Sequence, residues 1–132
     1  MQTDDDQSWI TKDKNGSITI LAWDYSPIVP PKGKTDQIIY KQDLPPIDKG
    51  KLTVELTNVT NGRYKLSIYQ IGYKHNDPYT AYVAMGMPGQ ITRKQVTELS
   101  QLSSGAPIEL GEVDVSDGRF EKSLPLKTND CY

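Results

Sequence analysis

Fifteen consecutive residues, Gly72-Tyr73-Lys74-His75-Asn76-Asp77-Pro78-Tyr79-Thr80-Ala81-Tyr82-Val83-Ala84-Met85-Gly86, hold the only histidine and three of the eight tyrosines. A Gly/Asn/Asp/Pro turn cluster runs through them. An imidazole can ligate a metal, side-chain oxygens can hold calcium, and aromatic rings can stack on sugars or anchor an interface. Each possibility needs partners. His75 has no second soft ligand nearby in sequence, and Asn76 and Asp77 lack the alternating acidic spacing of a calcium loop. One histidine without a nucleophile elbow makes no Ser-His-Asp triad, and no Gly-rich phosphate-cradling loop is present.

Glycoside hydrolysis requires two carboxylates at a fixed separation. Seventeen acidic residues are available, but almost all fall at turns or on polar strand positions, as Glu55 does between Val54 and Leu56. Binding is what remains. Trp9, Trp23, Tyr25, Tyr73, Tyr79 and Tyr82 are the aromatic candidates, with Trp23 expected in the core. If Tyr79 and Tyr82 lie on a strand, their spacing points them to opposite faces. Tyr73, His75, Asn76, Asp77, Tyr79 and Tyr82 are thus the candidate domain-docking or ligand-contact residues. No catalytic residue, metal ligand or cofactor is expected in this chain.

The whole chain narrows the classes further. Its 132 residues are one domain's worth, long enough to bury a core without disulfides. Ten glycines and nine prolines against 36% apolar residues favour short strands and turns over long helices. A net charge of −2 with no basic stripe argues against nucleic acid. No apolar run approaches the roughly 20 residues of a membrane-spanning helix. Met1 is followed by Gln2, Thr3 and three aspartates, so no signal peptide is expected. The lone Cys131 excludes an internal disulfide and lacks an activating base, which makes it a strand-edge or core residue. The sequons Asn15-Gly16-Ser17 and Asn58-Val59-Thr60 fall near turns.

The positioning elements are mostly strands. Residues 1–7 form a flexible lead-in, and 8–132 a single β-sandwich domain. A strand over Ser8–Lys12 turns at Asp13-Lys14-Asn15-Gly16 into Ser17–Asp24, where Ile18, Ile20 and Ala22 share one face and Leu21 and Trp23 the other. That two-faced pattern suggests a central strand. Prolines interrupt Ser26–Lys34, a short strand is expected at Gln37–Tyr40, and Pro45-Pro46 breaks the chain again. Lys51–Leu56 alternates cleanly and is expected to pair through an Asn61-Gly62 turn with Tyr64–Ile71 as a hairpin. Thr92 and Gln95 form a capping box, with Ile91 and Val96 placed for a hydrophobic staple. The helix that follows carries Val96, Leu99 and Leu102 on one face and stops at Ser104-Gly105. In Ile108–Val115 the apolar parity slips, which predicts a β-bulge at Gly111. Asp117-Gly118 then leads into Arg119–Leu126. The fold class is mainly β: an antiparallel immunoglobulin/fibronectin-III-like β-sandwich with one short helix in a crossover loop.

Two segments, Ile20-Leu21-Ala22-Trp23-Asp24-Tyr25 and Gly72-Tyr73-Lys74-His75-Asn76-Asp77-Pro78-Tyr79-Thr80-Ala81-Tyr82, resemble glycoside hydrolase family 39, the β-xylosidase and α-L-iduronidase family. Met85-Gly86-Met87-Pro88, the helix Thr92–Leu102, Leu124-Pro125-Leu126 and Asn129-Asp130 follow in the same order. The similarity runs from about Ser8 to Asp130 and matches the C-terminal β-sandwich beyond the catalytic barrel. The resemblance implies an enzyme whose two catalytic glutamates, one within Asn-Glu-Pro, lie in a (β/α)8 barrel. This chain holds no Asn-Glu-Pro, so no catalytic residue carries over. It implies a non-catalytic accessory domain of a xylan β-1,4-xylosidase-like enzyme. Its partner would be the catalytic barrel of the same parent chain, with Gly72–Met87 near the interface. The alternatives are an independent carbohydrate-binding module for xylan or xylo-oligosaccharides, and an immunoglobulin-like interaction domain. An ending at Asp130-Cys131-Tyr132 is expected to cut into or remove a last strand and expose a sheet edge or dimerisation surface.

Overall fold

The structure, a computed structural model, describes residues 6–27, 32–33 and 45–132. The expected strand at Gln37–Tyr40, most of the proline-rich stretch and residues 1–5 of the lead-in lie outside them. Among the described residues, six strands and two helices follow in order: β1 (Ser8–Lys12), β2 (Ile18–Ala22), β3 (Asp48–Thr57), β4 (Gly62–Ile68), α1 (Pro78–Ala84), α2 (Arg93–Leu102), β5 (Glu109–Val115) and β6 (Arg119–Lys127). Pairing is antiparallel throughout, in three ladders: β1–β2, β3–β6 and β4–β5. Cys131 bridges both Trp23 and Ile71, stitching the first and third ladders into one layer. The second layer, β3–β6, faces it. Leu56, Val59 and Val115 are the buried centre, with Ile10, Ile18, Ile20, Val54, Tyr64 and Phe120 packed around them.

The expected hairpin between Lys51–Leu56 and Tyr64–Ile71 does not form. β3 pairs with β6 and β4 with β5, so the 58–61 loop crosses from one layer to the other. The 116–118 turn between β5 and β6 crosses back in the same way. The cause is Val59, an apolar loop residue only 7% exposed, whose burial draws the loop over the end of the core. Asn58 and Asp117 take positive φ, the Val59 N–H donates to the Gly118 carbonyl at 3.0 Å, and the Gly118 N–H donates to Asn61 Oδ1 at 2.8 Å. Each crossing thereby locks the other. A Cβ on Gly118 would stand 3.4 Å from the Val59 carbonyl, at a φ of +67°.

The bulge expected at Gly111 is also absent. The β4–β5 register runs unbroken, with Gly111 opposite Leu66 and Leu110 opposite Ser67. Leu110 breaks parity because it sits on the outward face, 69% exposed. The helix expectation at Thr92 holds: its hydroxyl accepts from the Gln95 N–H, and Gln95 Oε1 accepts from the Thr92 N–H at 2.8 Å. A second helix, α1, adds to the single one expected. Asp77 caps it and Pro78 opens it, a start signal in which the proline lacks an N–H the first turn could not use.

Candidate functional site

The turn cluster folds on itself. Gly72 and His75 exchange backbone hydrogen bonds of 3.0 and 2.9 Å, so Tyr73 and Lys74 form the tip of a tight turn. Lys74 adopts φ +64° there, and its ammonium lies 5.0 Å from the centre of the Tyr73 ring. Asn76, at φ +49°, donates from Nδ2 to the Gln70 and Ala106 carbonyls (2.8 and 3.3 Å) and accepts from the Gly105 N–H at 3.0 Å. It ties the end of β4 to the segment leaving α2. Asp77 accepts from the Lys74 and Thr80 N–H groups, both at 3.1 Å, and from the Thr80 hydroxyl. Partial burial works against its charged form. Those bonds, with a further one from the Tyr79 N–H, outweigh it and hold the carboxyl below its ordinary pKa.

The structure places the six expected contact residues as follows. Asn76 and Asp77 are half-buried and their polar atoms are engaged within the chain. Tyr82 is half-buried, its hydroxyl donating to the Pro88 carbonyl at 3.1 Å. Tyr73 is half-buried, His75 is exposed and Tyr79 is 44% exposed. Tyr79 and Tyr82 both lie on α1, where a spacing of three makes them neighbours on one face and not opposed as on a strand. Among the described residues, no group of three or more His, Cys, Asp or Glu side chains could hold a metal ion.

The C-terminal segment backs the turn. Gly72 lies against Asp130, the most buried side chain among the described residues; a Cβ on Gly72 would fall 1.9 Å from Asp130 Oδ1. Asp130 Oδ2 accepts from the Lys127 N–H at 2.9 Å. Asn129 donates its backbone N–H to Asp24 Oδ2 at 3.0 Å and accepts at Oδ1 from the Ser26 N–H at 3.0 Å. The Ser26 hydroxyl bond to Asp24 lowers that carboxyl's pKa most. Burial opposes it, and the Asn129 N–H and Lys49 add to the lowering.

A second feature went unrecognised in the sequence. The layer formed by β1, β2, residues 131–132, β4 and β5 carries an apolar row on its outward face. Trp9 stands opposite Leu21; Trp23, Cys131 and Ile71 stand side by side; Tyr69 and Leu110 continue the row. Trp9 is 67% exposed, Ile71 61% and Tyr69 52%. Trp23 is half-buried on this outer face, edge-on to Trp9 with ring centroids 5.5 Å apart at 80°, and not in the core. Burial raises the pKa of the Cys131 thiol, which keeps it protonated and inert. The readable signal was the pair of two-faced strands, with apolar Leu21 and Trp23 on one and Tyr69 and Ile71 on the other.

No family model and no curated protein sequence matches the chain. Solved structures do. A GH39 enzyme from Xanthomonas axonopodis pv. citri matches at 31% identity and a TM-score of 0.86, over 97% of this chain and 25% of its own. A monomeric β-xylosidase from Caulobacter crescentus CB15 matches at 32% identity and a TM-score of 0.85, over 96% and 25%. Another Caulobacter crescentus GH39 β-xylosidase matches at 26% and a TM-score of 0.65, over 97% and 22%. The chain thus spans about a quarter of the length of the enzymes it matches. Its β-sandwich is thus similar to one quarter of these GH39 enzymes, a coverage consistent with a C-terminal domain.

Proposed function

We propose that residues 8–132 form a non-catalytic accessory domain of a xylan β-1,4-xylosidase-like glycoside hydrolase, which packs on the catalytic barrel of the same parent chain and stabilises it. The outward apolar row from Trp9 through Ile71 to Leu110 carries this reading. A continuous row of large apolar side chains on an outer sheet face marks an interaction surface. The matching enzymes are about four times as long, which supplies a partner of the right size. The exposed His75 and Tyr79 at the end of this layer extend the same docking region.

The test is Ile71→Asp with Leu110→Asp, made in the isolated chain and in the parent enzyme. The isolated chain is expected to keep its thermal midpoint. The parent is expected to inactivate faster on heating while kcat/KM on an aryl xyloside holds at low temperature. An unchanged inactivation rate would sink the docking role. Titration calorimetry with xylohexaose addresses the carbohydrate-binding alternative. Saturable heat that disappears in Trp9→Ala would favour it. The edge-on Trp9–Trp23 geometry argues for silence, because a sugar platform needs coplanar rings.

A further inference from the structure

One layer of the sandwich has a slot in its middle. β2 and β4 lie on either side of residues 131–132, and beyond the contact of Ala22 with Tyr132 their only ladder partners among the described residues are β1 and β5. Between them run two adjoining cavities of about 450 and 360 Å³, which share Ile18, Ile20, Lys65, Leu66 and Phe120 as lining. The walls are the strands themselves and the floor is the opposite layer, where Leu52, Val54 and Leu56 lie. Ile18, Ile20, Tyr64 and Leu66 face this space and are only half-buried, although they point inward.

The last two residues already occupy one end of the slot. Cys131 exchanges backbone hydrogen bonds with Ile71, both 2.8 Å, and Tyr132 exchanges them with Ala22 at 2.8 and 2.9 Å. Both bridges of Cys131 are antiparallel, so this segment runs counter to β2 on one side and β4 on the other. The ladder alternates. Ala22 turns its backbone to the tail, so Ile20 and Ile18 do too; Ile71 does the same, and so do Tyr69, Ser67 and Lys65. The groups lining the slot match an antiparallel strand on both sides at once.

We propose that the slot is the seat of an extended strand running on from Tyr132. It completes the layer as its central member, antiparallel to both β2 and β4. Register fixes its chemistry. The second residue after Tyr132 lies between Ile20 and Ile68, and the fourth between Ile18 and Leu66. These positions, and the sixth, face the inter-sheet core and take apolar β-formers such as Val or Ile. The third and fifth lie outward beside Thr19 and Ser67 and then Ser17 and Lys65, and take polar residues. This is a gap with two walls, β2 on one side and β4 on the other. It rests on sheet geometry alone, independently of the docking role.

The experiment extends the 132-residue chain after Tyr132 by Thr-Val-Lys-Ile-Thr-Val. A control carries the same six residues shifted by one, Val-Thr-Val-Lys-Ile-Thr, which turns the apolar set outward. Amide hydrogen exchange is followed by NMR at Ile18, Ile20, Lys65, Ser67 and Tyr69. The in-register extension is expected to slow these amides about tenfold or more and raise the thermal midpoint, with little change in the control. Equal behaviour of the two extensions, or no slowing in either, would overturn the proposal. So would protection of the same amides in the unextended chain that rises with protein concentration, which would assign the slot to a second copy.

Discussion

The turn cluster at Gly72–Asp77 and the outward row from Trp9 to Leu110 differ in a way that residue types alone conceal. The cluster is rich in side chains used for recognition, yet Asn76 and Asp77 spend their polar atoms on the chain's own backbone. The outward row is built from ordinary strand residues and leaves Trp9, Leu21, Tyr69, Ile71 and Leu110 exposed to water. A side chain is available to a partner when its bonding capacity is unspent, whatever its type. The cluster is therefore a structural knot beside the surface that a partner can use.

Breaking the knot should cost the most. Gly72→Ala forces a Cβ into Asp130, and a loss of about 3 kcal/mol or more is expected in urea unfolding. Asn76→Ala removes three hydrogen bonds, leaves the Gln70 carbonyl and the Gly105 N–H without them, and puts alanine at positive φ. About 2 kcal/mol is expected by the same measurement. Asp77→Ala removes a helix cap worth about 1 kcal/mol.

Asp77 also sets a pH dependence. Its folded-state pKa is below the unfolded value of about 3.9, so its contribution is complete above that pH and lost as pH falls through the folded value. Asp24 acts in the same direction. Asp77→Asn should flatten the stability curve below about pH 4, measured as urea midpoint against pH. The smallest effect belongs to the outward row. Leu110→Thr should change the stability of the isolated chain by under about 0.5 kcal/mol, since it alters an exposed site on a strand. A large loss there would mean that the row packs within the chain, and the comparison would fail.

Much of this was legible. Alternation located the strands: Ser8–Lys12 matches β1, and Arg119–Leu126 differs from β6 by one residue. The capping box at Thr92 worked because its chemistry is complete within four residues. Pairing was not legible, since Asn61-Gly62 offers a turn but its destination depends on where Val59 is buried. The helix α1 escaped because Asp77-Pro78 serves a turn and a helix start equally well. At the candidate site, the turn residues were legible and the long-range bonds that hold them were not. Nothing in the letters of Asn76 shows that its amide reaches Ala106 and Gly105, thirty residues on.

The two loop crossings also have a consequence in time. Because neither is a hairpin, Thr53 meets Ser123, a partner seventy positions on, and β1–β2 is the one hairpin among the described strands. Such long-range pairing makes folding slow. On the ribosome, where chains grow at about 5–20 residues per second, β3 must wait several seconds with its apolar face uncovered before β6 emerges. The period of greatest aggregation risk for this domain is thus its own synthesis.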